Sequence, residues 1–468
     1  MKIIDNDKIC DELAKPCDTS CSRVREILLK AKELKGISRA DVLTLMKLHE
    51  DELLHEVYET AIWIKKKIYG NRLVLFAPLY VSNLCQNECL YCAFRKSNEK
   101  LVRKILDQDE IREETGILLD QGHKRVLLVA GALYPREGLD YIYNSIETIY
   151  SVKSEKGNIR RININIAPLD KEEFKELKKY KIGTYQLFQE IYHEPTYKKM
   201  HPKGPKSNYM HRLETMDRGF EAGLDDVGIG ALFGLYDWKY ETLALLGHIS
   251  HLEKKFGLGP HTISVPRIEP AAGSEVSFNP PYPVSDKDFK KLIAILRIAV
   301  PYTGIILSTR ETPEMRRMAF ELGVSQISAG SRTNPGGYKH DDFSDPHIPF
   351  GEQSQFSLGD TRPVMDVIKD IVEQGFIPSF CTACYRLGRV GKDFMELAKP
   401  GLIQLHCLPN AMFTFTEYLC DFADSSLKKD GFRLIDEMIK KDITEEKMRV
   451  KTRRMINHIK NGKRDIFF

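Results

Sequence analysis

Three cysteines within eight residues carry the most reactive chemistry that the chain offers. Cys85, Cys89 and Cys92 lie in N-L-C-Q-N-E-C-L-Y-C-A-F-R, from Asn83 to Arg95. This C-x3-C-x2-C spacing is too tight for three unrelated core thiols. Three thiolates hold three irons of a 4Fe–4S cubane and leave the fourth without a protein ligand. A small molecule can bind that open iron, as reductive cleavage chemistry requires. A zinc knuckle would want a fourth Cys or His nearby, and none stands in the stretch; inert buried thiols are the other alternative.

A second constellation lies far downstream. Cys381 and Cys384 form C-T-A-C, and Cys407 follows after twenty-two intervening residues in L-H-C-L-P-N. Two close thiols and one distant one match a second iron–sulfur cluster with an open iron. Zinc competes here, with His406 as a fourth ligand. Cys10, Cys17 and Cys21 stand in the N-terminal arm. Cys17 and Cys21 are spaced to face one another on a helix turn, yet nothing around them resembles a site. Cys420 reads as core.

The elements that must position these cysteines follow from periodicity. Residues 1–70 read as a charged helical arm, with Ser38 opening an apolar helical pattern through Leu43, Leu45, Met46, Leu48, Leu53, Leu54, Val57 and Ile62. From residue 72 short β-rich runs take over, at Leu73–Val81, Arg125–Gly131, Arg161–Ala167, Thr184–Ile191, Asp226–Gly234, Thr262–Arg267, Gly304–Thr309 and Gln326–Ser331. Amphipathic segments such as Asp109–Gly122 and Lys171–Tyr180 separate them. Eight strands alternating with helices over about 260 residues predict an α/β fold, a (β/α)8 TIM barrel over residues 71–337. A doubly wound open sheet is the alternative. Residues 338–360 read as a connecting loop or lid, and 361–468 as a mainly helical domain carrying the second cysteine set.

On this map the Cys85 loop follows the first strand at its C-terminal end, where barrels keep their chemistry. Gln189, Glu190, Arg267, Arg310, Glu311 and Ser331 end or follow other strands. A carboxylate and several arginines converging on one mouth suit a zwitterionic ligand, although each alone reads as a solvated loop charge. The net charge of +4, from 70 basic and 66 acidic residues, argues against nucleic-acid or membrane-surface binding. Neither a signal peptide nor a membrane span is legible, which predicts a cytoplasmic protein, where ten cysteines suit metal ligation better than disulfides. The basic stretch Lys447–Arg464 carries an apolar stripe and reads as a helix ended by Gly462.

The first cysteine spacing resembles the signature of the radical S-adenosylmethionine superfamily. Both constellations together resemble the tyrosine lyases of FeFe-hydrogenase maturation, along nearly the whole chain. The likeness includes F-A-P-L-Y-V-S-N, G-I-G at Gly228–Gly230, G-P-H-T-I-S-V-P-R from Gly259, L-S-T-R-E, S-Q-I-S-A-G-S, C-T-A-C-Y-R and L-P-N-A. The related thiamine-pathway 2-iminoacetate synthases share the barrel but lack the C-terminal three-cysteine extension. The resemblance implies a radical lyase that cleaves the Cα–Cβ bond of tyrosine to p-cresol and dehydroglycine, the latter yielding carbon monoxide and cyanide. It implies that Cys85, Cys89 and Cys92 hold the radical cluster, with Glu190, Arg212, Gly131 and Asn165 binding S-adenosylmethionine. Arg310 and Ser331 would hold the substrate carboxylate. Cys381, Cys384 and Cys407 would hold an auxiliary cluster at the opposite barrel end, with His261 ligating an additional iron; a packing or capping histidine is the other reading of His261. A one-electron donor such as flavodoxin or ferredoxin, and other hydrogenase maturases, are the implied partners. V-A-G-A-L-Y-P, N-I-A-P-L-D and S-R-T-N-P-G-G-Y depart from the family pattern after strands two, three and eight, and bear on which amino acid is cleaved. A lyase for another amino acid and a non-catalytic iron–sulfur carrier are the alternatives.

Overall fold

The computed structural model describes residues 2–134, 137–339 and 353–468. Part of the predicted connecting loop, residues 340–352, therefore lies outside the described residues. Eight parallel strands close into a barrel: β1 (Arg72–Ser82), β2 (Arg125–Ala130), β3 (Arg161–Asn165), β4 (Tyr185–Gln186), β5 (Val227–Gly230), β6 (Thr262–Ser264), β7 (Gly304–Leu307) and β8 (Gln326–Ser328). Closure occurs where Val74, Leu75 and Phe76 of β1 pair with Gln326, Ile327 and Ser328 of β8. The fold is the (β/α)8 barrel that the strand count predicts.

β1 is buried along its whole length, which explains its unbroken apolar run. Its N-terminal half also pairs with a ninth strand, β9 (Ile377–Ser379), through Arg72↔Ile377, Leu73↔Pro378 and Val74↔Ser379. The C-terminal region is thus stitched into the barrel sheet by backbone hydrogen bonds. Its helices Gln404–Asp421, Ser425–Asp442 and Glu446–Lys460 continue the chain. The last of these buries Ile456 and Ile459 and ends before Gly462, which takes φ +94°.

Four helices precede the barrel, Asn6–Ala14, Cys21–Ala31, Arg39–Met46 and Asp51–Tyr69. Ser38 and Asp41 form a reciprocal capping box that opens the third. Cys21 begins the second helix whereas Cys17 precedes its Ser20 cap, so these two cysteines do not share a helix turn. Within the barrel, the helix after β1, Gln108–Asp120, opens on a second capping box between Asp107 and Glu110. Among the described residues, no helix is long and apolar enough to cross a membrane.

Inward side chains of neighbouring strands fall into layers because the strand repeat is two residues. Phe76, Ile306 and Ser328 line a cavity of about 170 Å³ at the C-terminal mouth. Val74, Gly304 and Gln326, two residues earlier on the same three strands, line one of about 50 Å³ at the opposite end. Two residues of strand span roughly 6.6 Å, so the two cavities are lined by successive layers of side chains.

Candidate functional site

The loop after β1 has almost no ladder of its own, and its backbone is satisfied by its surroundings. Leu90 N donates to Met200 O (3.0 Å), Glu88 N to Lys203 O (3.1 Å) and Lys96 N to Asn87 O (2.9 Å). Arg103 braces the far side through Asn83 O (3.1 Å) and Phe94 O (2.9 Å). The loop presents Cys89 and Cys92 to the mouth cavity, with Tyr91 between them. The outer thiols each receive an amide, Asn87 Nδ2 to Cys85 Sγ (3.6 Å) and Gln355 Nε2 to Cys92 Sγ (3.7 Å).

Burial pushes the Cys89 thiol up to about 12, with the Lys206 charge opposing it. Burial, then the neighbouring Cys85, also pushes Cys92 up. Thiolates at such positions require a positive group of their own, which an iron–sulfur cluster supplies. Among the described residues, no three Cys, His, Asp or Glu side chains gather as they would around one ion. A cubane, which distributes its thiolates over three irons, suits the first donor set.

Glu190 follows β4 with φ +70°, a left-handed conformation that costs a non-glycine residue about 1–2 kcal/mol. The turn is held by Leu232 N donating to Glu190 O (2.8 Å) and points the carboxylate into the mouth. There Lys206 Nζ reaches Glu190 Oε1 (3.2 Å) and the Tyr91 hydroxyl (3.0 Å). Arg212 Nη2 lies 3.8 Å from the same carboxylate while its Nε donates to Phe188 O (2.9 Å). Tyr91 also meets the buried His201 Nε2 (2.8 Å). Asn165 lines the cavity and donates Nδ2 to Gln186 O (2.9 Å). Gly131 stands behind the cluster loop rather than in the cavity; a Cβ there would fall 2.1 Å from Leu84 O, so only glycine lets the loop pass.

Arg310 lines the opposite wall, its guanidinium 3.2 Å above the centre of the Phe356 ring. Ser331 is buried and lines the same cavity, and its hydroxyl finds no hydrogen-bond partner among the described residues. A buried donor left open and a nearby guanidinium form a receptor for an anion. Arg267 and Glu311, which the sequence places at the same mouth, instead bind each other, and Arg267 also holds Asp286 at 2.8 Å. Gln189 is buried but does not line the cavity.

At the opposite end Cys381, Cys384 and Cys407 meet His261, Asp226, Arg72, Arg125 and Arg389 around the smaller cavity. The hydrogen bond from Cys384 holds the Cys407 thiol down, to about 6; Arg72, Arg389 and Arg125 add to it against the effect of burial. Cys384 is correspondingly pushed up. This end therefore favours a thiolate, and its three thiols with arginines around them fit an anionic cluster. His261 packs against Phe394 (4.3 Å between centroids), and burial lowers its pKa, keeping the imidazole neutral as a metal ligand must be. Asp226 Oδ2 lies 3.8 Å from His261 Nδ1.

Lys206, Gln355, Phe356 and Asp226 are site residues that sequence reasoning misses. Lys206 stands in an irregular K-G-P-K-S stretch with no periodicity. It reaches the site through Asn87 and Tyr91, more than a hundred residues away.

A closed parallel barrel with a C-x3-C-x2-C loop at its C-terminal rim defines the radical S-adenosylmethionine class of enzyme. The radical SAM superfamily model matches residues 79–246, and the Biotin and Thiamin Synthesis associated domain matches 264–377. The 2-iminoacetate synthase of Salmonella typhimurium is 33% identical over 343 residues, covering 73% of this chain and 86% of that protein. A crystal structure of HydG, a maturase of the [FeFe]-hydrogenase, aligns over 100% of both chains with 49% identity and a TM-score of 0.95. HydG from Carboxydothermus hydrogenoformans covers 96% of this chain and 97% of its own, at 41% identity and a TM-score of 0.83. The chain belongs to the radical SAM family that contains 2-iminoacetate synthase and HydG.

Proposed function

We propose that the protein is a tyrosine lyase of FeFe-hydrogenase maturation. It cleaves the Cα–Cβ bond to p-cresol and dehydroglycine at the barrel mouth, and carbon monoxide and cyanide form at the second centre. The observation that carries this reading is that two cysteine sets meet cavities at opposite ends of one barrel, Cys89 and Cys92 of the first triad at one and Cys381, Cys384 and Cys407 at the other. Cys85, Cys89 and Cys92 would hold the first 4Fe–4S cluster, and Cys381, Cys384 and Cys407 the second. When bound, the first cluster and S-adenosylmethionine supply a 5′-deoxyadenosyl radical that accepts a substrate hydrogen.

The chain's own residues bind, orient and enclose. Glu190, with Lys206 and Arg212 behind it, engages polar groups of S-adenosylmethionine, and Asn165 offers a further contact. Arg310 and Ser331 take the substrate carboxylate, fixing which hydrogen faces the cofactor. Phe188, Leu232 and Phe356 line the cavity walls and keep out water, which would otherwise compete as a hydrogen donor. One side-chain layer below, Arg72 and Arg125 offer positive charge to a small carboxylate descending from the mouth. His261, neutral by burial, is the ligand for an additional iron. A low-potential one-electron donor and further maturases are the partners this reading requires.

Anaerobic incubation with dithionite, S-adenosylmethionine and each amino acid in turn tests it. Tyrosine alone should yield p-cresol together with 5′-deoxyadenosine, and replacing Cys85, Cys89 and Cys92 with Ala should abolish both. Product from a different amino acid would reassign the substrate, and no 5′-deoxyadenosine at all would leave an iron–sulfur carrier. The 2-iminoacetate synthase activity of thiamine formation is the second reading. The buried Cys381–Cys384–Cys407 end disfavours it, because that reaction has no use for a second centre.

A further inference from the structure

The three thiols of the second centre stand on two elements that, among the described residues, no ladder joins. Cys381 and Cys384 lie on the loop that leaves β9 and passes through the short helix Ala383–Arg386 to Arg389, whereas Cys407 lies in the first turn of the helix Gln404–Asp421. Thr184 and Arg161 hold the loop to the barrel through Tyr385, with hydroxyls 3.2 Å apart and the guanidinium 4.1 Å above the ring. Phe380, just before Cys381, meets the Cys407 helix directly: its N donates to Thr414 Oγ1 (3.2 Å) and its ring stacks on Tyr418 (5.2 Å). Further contacts that bridge the loop to the helix, at Arg386 and Arg389, come from elsewhere. They belong to Arg464–Phe468, which returns after the helix Glu446–Lys460 and lies between them.

On the loop side Arg386, two residues after Cys384, grips both carboxylate oxygens of Asp465 (2.5 and 2.9 Å) and stacks 4.1 Å over the Phe467 ring. Arg389 donates to Phe468 O (2.6 Å). On the helix side the buried Asn410, three residues after Cys407, accepts from Phe468 N (2.8 Å) and donates to Phe468 O (3.3 Å). Phe413 meets the Phe468 ring edge-on at 4.9 Å, and Glu417 accepts from Asp465 N. On the barrel side Arg160, next to β3 and 7% exposed, spans Glu417 (2.9 Å) and Asp465 (3.1 Å). Asp465 itself adopts φ +61°, a left-handed backbone that these contacts impose.

We propose that Arg464–Phe468 is a strap that sets the separation of Cys384 from Cys407 and so retains the second cluster, with Asp465 and Phe468 as positioning residues. The proposal rests on the reading that Cys381, Cys384 and Cys407 hold that cluster. A bidentate arginine clamp at one end and a paired amide clamp at the other fix distance and direction together. Loss of the strap frees Arg160 from Asp465 but spares the Cys85 loop, since among the described residues none of the strap contacts named above reaches the mouth.

The test uses the full chain, reconstituted anaerobically with iron and sulfide, as parent, Asp465→Ala, a deletion of residues 465–468, and Cys407→Ala. Electron paramagnetic resonance of the reduced proteins with and without S-adenosylmethionine separates the two clusters, because only the barrel cluster responds to that ligand. The strap predicts an auxiliary signal at least fivefold below the parent in Asp465→Ala and lower still in the deletion. The barrel signal and 5′-deoxyadenosine formation should stay within twofold. Parental signals in both strap variants overturn the proposal, as does parallel loss of both clusters, which would mark a merely structural role. Cys407→Ala examines the underlying reading: if the parent shows two clusters and this variant still shows both, the assignment of the second centre fails and the strap falls with it.

Discussion

Replacing Arg310 with Lys isolates what a guanidinium does at this mouth. Among the described residues its side chain makes no hydrogen bond or ion pair; it lies 3.2 Å over Phe356 and lines the same cavity as Ser331. Burial depresses its pKa, the signature of a cation short of a counter-charge. A substrate carboxylate would supply that charge through two parallel N–H···O bonds, and lysine preserves the charge but offers one. Losing a charge-assisted hydrogen bond costs about 1.5–3 kcal/mol, which corresponds to a rise of about 12- to 150-fold in half-saturating substrate. Loss of the flat stack on Phe356 adds about 0.5–1 kcal/mol at a partly accessible site. The assay is p-cresol formation against tyrosine concentration at saturating S-adenosylmethionine, with iron content confirming intact clusters. A shift below threefold, or a fall in kcat with unchanged KM, would refute the carboxylate assignment.

Three further outcomes follow from the same geometry. Glu190→Gln should weaken S-adenosylmethionine roughly 5- to 30-fold, about 1–2 kcal/mol, read as 5′-deoxyadenosine formed against cofactor concentration; an unchanged curve would remove Glu190 from the cofactor site. His261→Ala should keep p-cresol formation and lose the iron–carbonyl infrared bands, whereas loss of p-cresol first would make it a packing residue. Asp360→Asn should destabilise the fold by about 3–5 kcal/mol, since it leaves Arg316 (2.8 Å away, both side chains fully buried) without its counter-charge. Burial alone would raise the Asp360 carboxyl, but Arg362 and Arg316 overcome it and hold it below its ordinary value. That contribution is present above the unfolded carboxyl pKa and is lost as pH falls through the depressed folded value. The gap between parent and variant in urea midpoint should therefore close in acid, below about pH 4; a constant gap would contradict the pairing.

The barrel is legible in the sequence because strand and helix periods alternate cleanly, and both cysteine sets are legible because their spacing is local. From β2 to β8 the strands are shorter than their apolar runs, however. Thr184–Ile191 reads as one strand, but only Tyr185 and Gln186 form β4, because the chain then turns through Glu190 into the site. Arg72 and Arg125 carry no local mark of a site; they are buried, 8% and 5% exposed, where the C-terminal region meets the barrel. Lys206 and Gln355 escape notice as well. Their partners lie in distant loops, and no local pattern encodes an approach across more than a hundred residues. Arg267 and Glu311 look like mouth charges until their mutual ion pair is seen, since alternation along a strand does not say which neighbour a charge will meet.

The pairing of β1 with both β8 and β9 also sets a timetable for synthesis. β1 emerges early, yet the partners of Arg72 to Phe76 arrive only with residues 326–328 and 377–379. At about 5–20 residues per second, an apolar strand edge waits roughly 15–60 seconds on the ribosome before its last neighbour exists. Such an edge invites pairing with another nascent chain. Copies interrupted before residue 326 should therefore clump rather than persist as half-barrels. If Cys407 holds the far-end cluster as proposed, iron insertion there would come after that seam has shut.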